Sequence, residues 1–172
     1  VRYCLRLGDS SLILGQRMAE WCSKGPVLEE DIALSNIGLD LFGQARMMLS
    51  YAGEVEGKGR TEDDLAFKRL EREFYNTLLS ERPNGDFGDT VARNFLISAY
   101  SFHLYKKLST SADSTIAGFA AKSLKDNLLE TPPYMRDEMI DKGGVNPPSE
   151  NVMAAYEEVM RARDTSSEDT DV

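Results

Sequence analysis

The chain has 172 residues, a formal charge of −9, 41% hydrophobic residues and 28% charged residues. That length defaults to one domain able to bury a core without disulfides or metals, and the negative charge argues against nucleic acid and anionic membrane surfaces as partners. Cys4 and Cys22 lack metal-ligand spacing and read as small buried hydrophobes of a reducing compartment; no apolar run reaches membrane-spanning length, and no signal or transit peptide is evident.

The first predicted helix runs from Asp9 to Cys22. Asp9 or Ser10 caps it, and Leu12, Ile13, Gln16, Ala19 and Glu20 follow at spacings of three and four. Ser23-Lys-Gly-Pro26 turns the chain.

The central predicted helix spans Leu28 to about Glu56. Glu29, Glu30 and Asp31 favour its N-terminus through the helix dipole, and Gly57 and Gly59 end it. Apolar residues surround it on almost every side, which predicts enclosure by other helices. Asn36, Asp40 and Gln44 repeat every four residues and form a polar stripe that must find partners if buried.

Thr61 and Asp64 form a capping-box pattern for a third helix reaching about Glu81, with Lys68, Arg69, Glu71, Arg72 and Glu73 on its solvated side. Arg82-Pro-Asn-Gly-Asp86 is a turn signal. Helical spacing resumes from Asp89 to about Ser109 and from Thr115 to Leu129. After Glu130, three Pro-Pro or Gly-Gly pairs break the pattern. A short amphipathic helix is expected over 149–163, followed by an acidic, disordered tail from Thr165. The predicted fold class is therefore all-α: a helical bundle over 1–130, incomplete on its C-terminal side, with a divergent extension over 131–172.

Polar residues pointing inward from several helices raise the possibility of a di-iron carboxylate centre, which needs a Glu-x-x-His motif on each of two helices. The chain has a single histidine, His103, and no acidic residue stands three before it. No metal, cofactor or catalytic residue is assigned. The expected alternative is a structural, buried polar network of Glu20, Asn36, Asp40, Gln44, Asp89 and Arg93, with Arg93 neutralising Asp40 or Asp89. His103, the Met47-Met48 pair and Tyr51 read as ordinary helix and packing residues.

Several segments are similar to a known family. They include Tyr3-Cys-Leu-Arg-Leu-Gly-Asp9, Leu14-Gly-Gln-Arg17, Leu28-Glu-Glu-Asp-Ile-Ala-Leu34, Asn36-Ile-Gly-Leu-Asp-Leu41, Gly43-Gln-Ala-Arg46 and Pro83-Asn-Gly-Asp-Phe87. Over residues 1–126 the chain resembles the C subunit of phenylacetyl-CoA epoxidase, a multicomponent ring 1,2-monooxygenase. The resemblance implies a ferritin-like bundle with a degenerate di-iron site. It implies a non-catalytic structural role beside a homologous di-iron catalytic subunit, in the cytoplasm of a bacterium. The family continues with a Lys-Glu-x-x-Tyr-His segment, for which this chain has Lys125-Asp-Asn-Leu-Leu-Glu130, and residues 131–172 match none of the family's continuation. Two other readings stay open. One is the same fold recruited into an unrelated assembly, for example in an organelle matrix. The other is a free-standing oxidoreductase with an atypical metal site.

Overall fold

In a computed structural model, residues 1–129 are described. The expected helix over 149–163 and the acidic tail lie outside them. Every regular element among the described residues is helical, so the fold class is all-α, as expected of a ferritin-like bundle. The chain divides into two compact units, one of Val1–Asn84 and one beginning at Gly85.

The first unit is built on two long helices, α1 (Arg2–Ala19) and α2 (Leu28–Glu56). Gly8 lies against Met48 and Leu49, and Gly15 against Gly38 and Phe42. Rising numbers on one helix meet falling numbers on the other, so the pair is antiparallel. The approach is close because a glycine stands at the crossing: a Cβ on Gly15 would come within 2.9 Å of the Phe42 ring and 3.3 Å of the Gly38 carbonyl. Cys4, Leu5 and Leu12 of α1 join Ala45, Leu49 and Ala52 of α2 in the core, and Leu65 closes it. Gly57, at φ 69°, ends α2 with its N–H on the Gly53 carbonyl, where the sequence places the stop.

Two helices depart from the sequence reading. The first helix starts at Arg2 rather than Asp9, and the third, α3 (Glu62–Phe67), stops long before Glu81. Asp9 is not a cap but a fully buried residue of α1, and Arg69 is not on a solvated face. The two are ion-paired, with side-chain exposures of 0% and 3%. Reaching Asp9 takes the chain out of helical geometry after Lys68. It continues through a 3-10 turn (Glu71–Glu73), an extended stretch and the single turn α4 (Leu78–Glu81).

The central helix is also not enclosed on all sides. Leu28, Ile32, Leu39 and Met47 are exposed, at 69%, 51%, 67% and 38%, and no atom lies within 4 Å of where a Gly43 Cβ would stand. At 100° per residue these five positions share one face of α2, and nothing in the first unit covers it. Cys4 is buried as expected, whereas Cys22 is exposed in the turn that follows α1.

The second unit pairs α5 (Phe87–Leu108) with α6 (Ser114–Leu129). Asp86 caps α5 by accepting the Asp89 N–H at 2.8 Å, and Asp113 accepts the N–H groups of Thr115 and Ile116 at 3.0 and 3.1 Å. The Tyr105 and Phe119 rings meet edge-on with centroids 5.4 Å apart and tie the two helices together.

Candidate functional site

Of the six residues of the expected network, Glu20, Asn36, Asp40 and Gln44 belong to the first unit and Asp89 and Arg93 to the second. Gln44 and Arg93 are buried, at 4% and 5% exposure, while Glu20, Asn36, Asp40 and Asp89 are exposed in this chain. Helix geometry explains the division within α2. Four residues advance the chain by 400°, so each repeat drifts 40° around the axis, and from Asn36 to Gln44 the stripe drifts by about 80°. Its first two members therefore share the open face with Leu39 and Gly43, while Gln44 turns toward the packed side. Asp89 occupies the first turn of α5, and Arg93 lies one turn further on, in the second unit.

Glu20 has a different task. It follows the last residue of α1, and its carboxylate accepts from Arg17 Nη1 at 2.7 Å and from Asn84 Nδ2 at 2.9 Å. With several residues of α1 it holds the irregular segment 69–84. Arg69 forks onto both carboxylate oxygens of Asp9, with Nη1 at 3.0 Å from Oδ2. The same guanidinium donates to the Leu65 and Glu73 carbonyls and stacks on Phe74, 4.2 Å from the ring centroid. The Tyr75 N–H donates to Asp9 Oδ2 at 2.9 Å, and the Thr77 N–H to Ser10 Oγ at 3.2 Å. Further along, Arg17 Nη2 donates to the Glu81 carbonyl at 2.8 Å, and Asn84 Nδ2 to the Arg17 carbonyl at 2.9 Å.

The segment is thus a strap fixed at both ends by α1. Extended residues 74–77 have no ladder partner, and Asp9 and Ser10 supply acceptors for the Tyr75 and Thr77 amides. The ion pair that anchors the strap spans 60 residues and escapes any local sequence pattern. One signal is available in retrospect. Asp9 has Leu5 four residues before it and Leu12 three after, which puts a carboxylate on the apolar face of α1. Glu30 is a second buried acid, at 2% exposure, where the sequence suggests only a helix-dipole partner.

Electrostatics at the start of α3 are local. The Thr61 hydroxyl accepts the Asp64 N–H at 3.2 Å, and Asp64 accepts the Thr61 N–H at 2.9 Å. The Lys68 ammonium, at 2.5 Å, and then the two Thr61 donors hold the Asp64 carboxyl down at about 2. Glu56 is lowered chiefly by its hydrogen bond from Arg60.

Among the described residues, no three His, Cys, Asp or Glu side chains converge in a way that would hold a metal ion. The described residues do not supply the ligand set of a di-iron carboxylate centre. What the arrangement offers instead is a rigid helix pair, a strapped flank and one open helix face. No described helix is long and apolar enough to cross a membrane.

A family model described as "Phenylacetic acid catabolic protein" matches residues 1–128. Over 124 residues the chain is 54% identical to the C subunit of 1,2-phenylacetyl-CoA epoxidase from Escherichia coli strain K12. The match covers 72% of this chain and 50% of the relative, so the chain spans about half the length of the curated protein it matches.

Proposed function

We propose that this chain, which belongs to the phenylacetic acid catabolic protein family, acts as a non-catalytic structural subunit of a multicomponent phenylacetyl-CoA epoxidase. The observation that carries the reading is the 54% identity to an epoxidase C subunit over nearly the whole described region. Its partner would be a homologous di-iron catalytic subunit, and its compartment the bacterial cytoplasm. The open face of α2 supports a protein partner. Leu28, Ile32, Leu39 and Met47 expose apolar surface on one stripe, and burying such surface is worth roughly 25 cal/mol per Å². Asn36 and Asp40 share that face and would meet polar groups of the partner there, which is the form in which the polar stripe of α2 retains a role.

Purifying the complex from its native source under mild conditions and identifying each chain by mass spectrometry tests this reading. A di-iron epoxidase subunit at equal stoichiometry is the expected result. A set of unrelated proteins would overturn it and support recruitment of the fold into another assembly. This chain alone with bound iron or manganese would overturn it in favour of an oxidoreductase.

A further inference from the structure

The turn Arg82-Pro-Asn-Gly-Asp86 carries two requirements at adjacent residues. Asn84 is half-buried, and its Nδ2 donates to the Arg17 carbonyl and to Glu20 Oε2, both at 2.9 Å. Gly85 has φ 64°, and a Cβ there would collide with the Asp89 carboxylate. The fold therefore needs a side-chain amide at 84 and a glycine at 85. Together they make the dipeptide most open to cyclisation, because a glycine amide nitrogen has no side chain to hinder its attack on the preceding carboxamide.

We infer that Asn84 is a deamidation site that α1 holds unreactive and that converts when its contacts to α1 open. In the reaction the Gly85 nitrogen loses its proton to solvent base and attacks Asn84 Cγ. A C–N bond forms, Nδ2 takes up a proton and leaves as ammonia, and a succinimide results. Water then adds to either imide carbonyl and opens the ring to aspartate or isoaspartate. The folded chain opposes this. The carboxamide is tethered to acceptors on α1 and must leave them to swing onto the backbone nitrogen. Both tethers fall on Nδ2, so swinging the carboxamide onto the Gly85 nitrogen breaks two hydrogen bonds, one of them to a carboxylate.

Conversion is not neutral for the strap. An acid at position 84 presents oxygen to two acceptors, the Arg17 carbonyl and the Glu20 carboxylate. The guanidinium that would relieve this is already held by Glu20 and the Glu81 carbonyl. Deamidation therefore loosens the end of the strap. The inference is independent of the function proposed above.

The full chain is incubated in mildly alkaline buffer, native and in urea, and position 84 is followed by peptide mapping and by isoaspartyl methyltransferase labelling. The native chain is expected to convert at least about tenfold more slowly than the unfolded one, the factor set by one charge-assisted hydrogen bond. Glu20→Ala is expected to raise the native rate several-fold and leave the rate in urea unchanged. Equal native and unfolded rates, or a native rate indifferent to Glu20→Ala, would overturn the inference. In Asn84→Asp, faster amide exchange across Leu78–Glu81 is expected, and unchanged exchange there would overturn the link from deamidation to the strap.

Discussion

Replacing Asp9 by Asn keeps the shape of the buried side chain and removes its charge. Arg69, whose side chain is 3% exposed, then keeps a buried positive charge with no anion to balance it, only the neutral carbonyls of Leu65 and Glu73, the amide oxygen of the introduced Asn and the Phe74 ring. One of the two contacts also reverses, because an amide nitrogen placed toward the guanidinium sets donor against donor. Breaking a buried pair by removing one partner costs about 3–5 kcal/mol. At about 2–4 °C per kcal/mol for a chain of this size, the midpoint of thermal unfolding falls by roughly 10 °C. The chain's single tryptophan, Trp21, lies in the first unit, so its fluorescence during urea unfolding reports on the unit that contains the pair. Hydrogen exchange adds a local readout, since the Tyr75 and Thr77 amides rest on Asp9 and Ser10 and are expected to lose protection together. Arg69→Met combined with Asp9→Asn should recover part of the loss, because no uncompensated charge remains. A cost below about 1 kcal/mol for Asp9→Asn, or a double-mutant coupling within about 0.5 kcal/mol of zero, would refute the assignment of this pair as the anchor of the strap.

Gly15→Val is expected to cost about 1–3 kcal/mol, because its branches must displace Phe42 and press on the Gly38 carbonyl; thermal unfolding measures it. Asp64 is depressed in the folded chain from 3.8 to about 2, so its contribution to the α3 cap is complete above about 4 and is lost as pH falls toward about 2. Amide exchange at Asp64 should follow that window in the native chain and show no such window in Asp64→Asn. Leu39→Lys, on the open face of α2, is expected to change the stability of the isolated chain by less than about 0.5 kcal/mol and to weaken capture of the proposed catalytic partner in a pull-down. Unimpaired capture would place the interface elsewhere.

Most of the helical frame was legible in residue order alone. Gly57 stops α2 because a left-handed cap is a local demand that glycine meets, and Asp86 and Asp113 serve the first turns of α5 and α6 through side chains two or three residues away from the amides they accept. The single histidine argues against a pair of Glu-x-x-His motifs on residue count alone. What residue order did not disclose depends on contacts between distant segments. Asp9 reads as a cap and Arg69 as a solvated side chain until the fold brings them together across 60 residues, in a contact that goes with the early end of the third helix. The polar stripe of α2 follows the same rule in reverse. A spacing of four places Asn36, Asp40 and Gln44 near one another, but the tertiary position of α1 decides where along the 40° drift the stripe passes from open face to core. Local hydrogen bonding and periodicity are written in neighbouring residues, whereas burial is set by whatever packs against them. The existence of the long helices was therefore determined by the sequence itself, while the extent of the third helix and the environment of each polar side chain were decided by the tertiary structure.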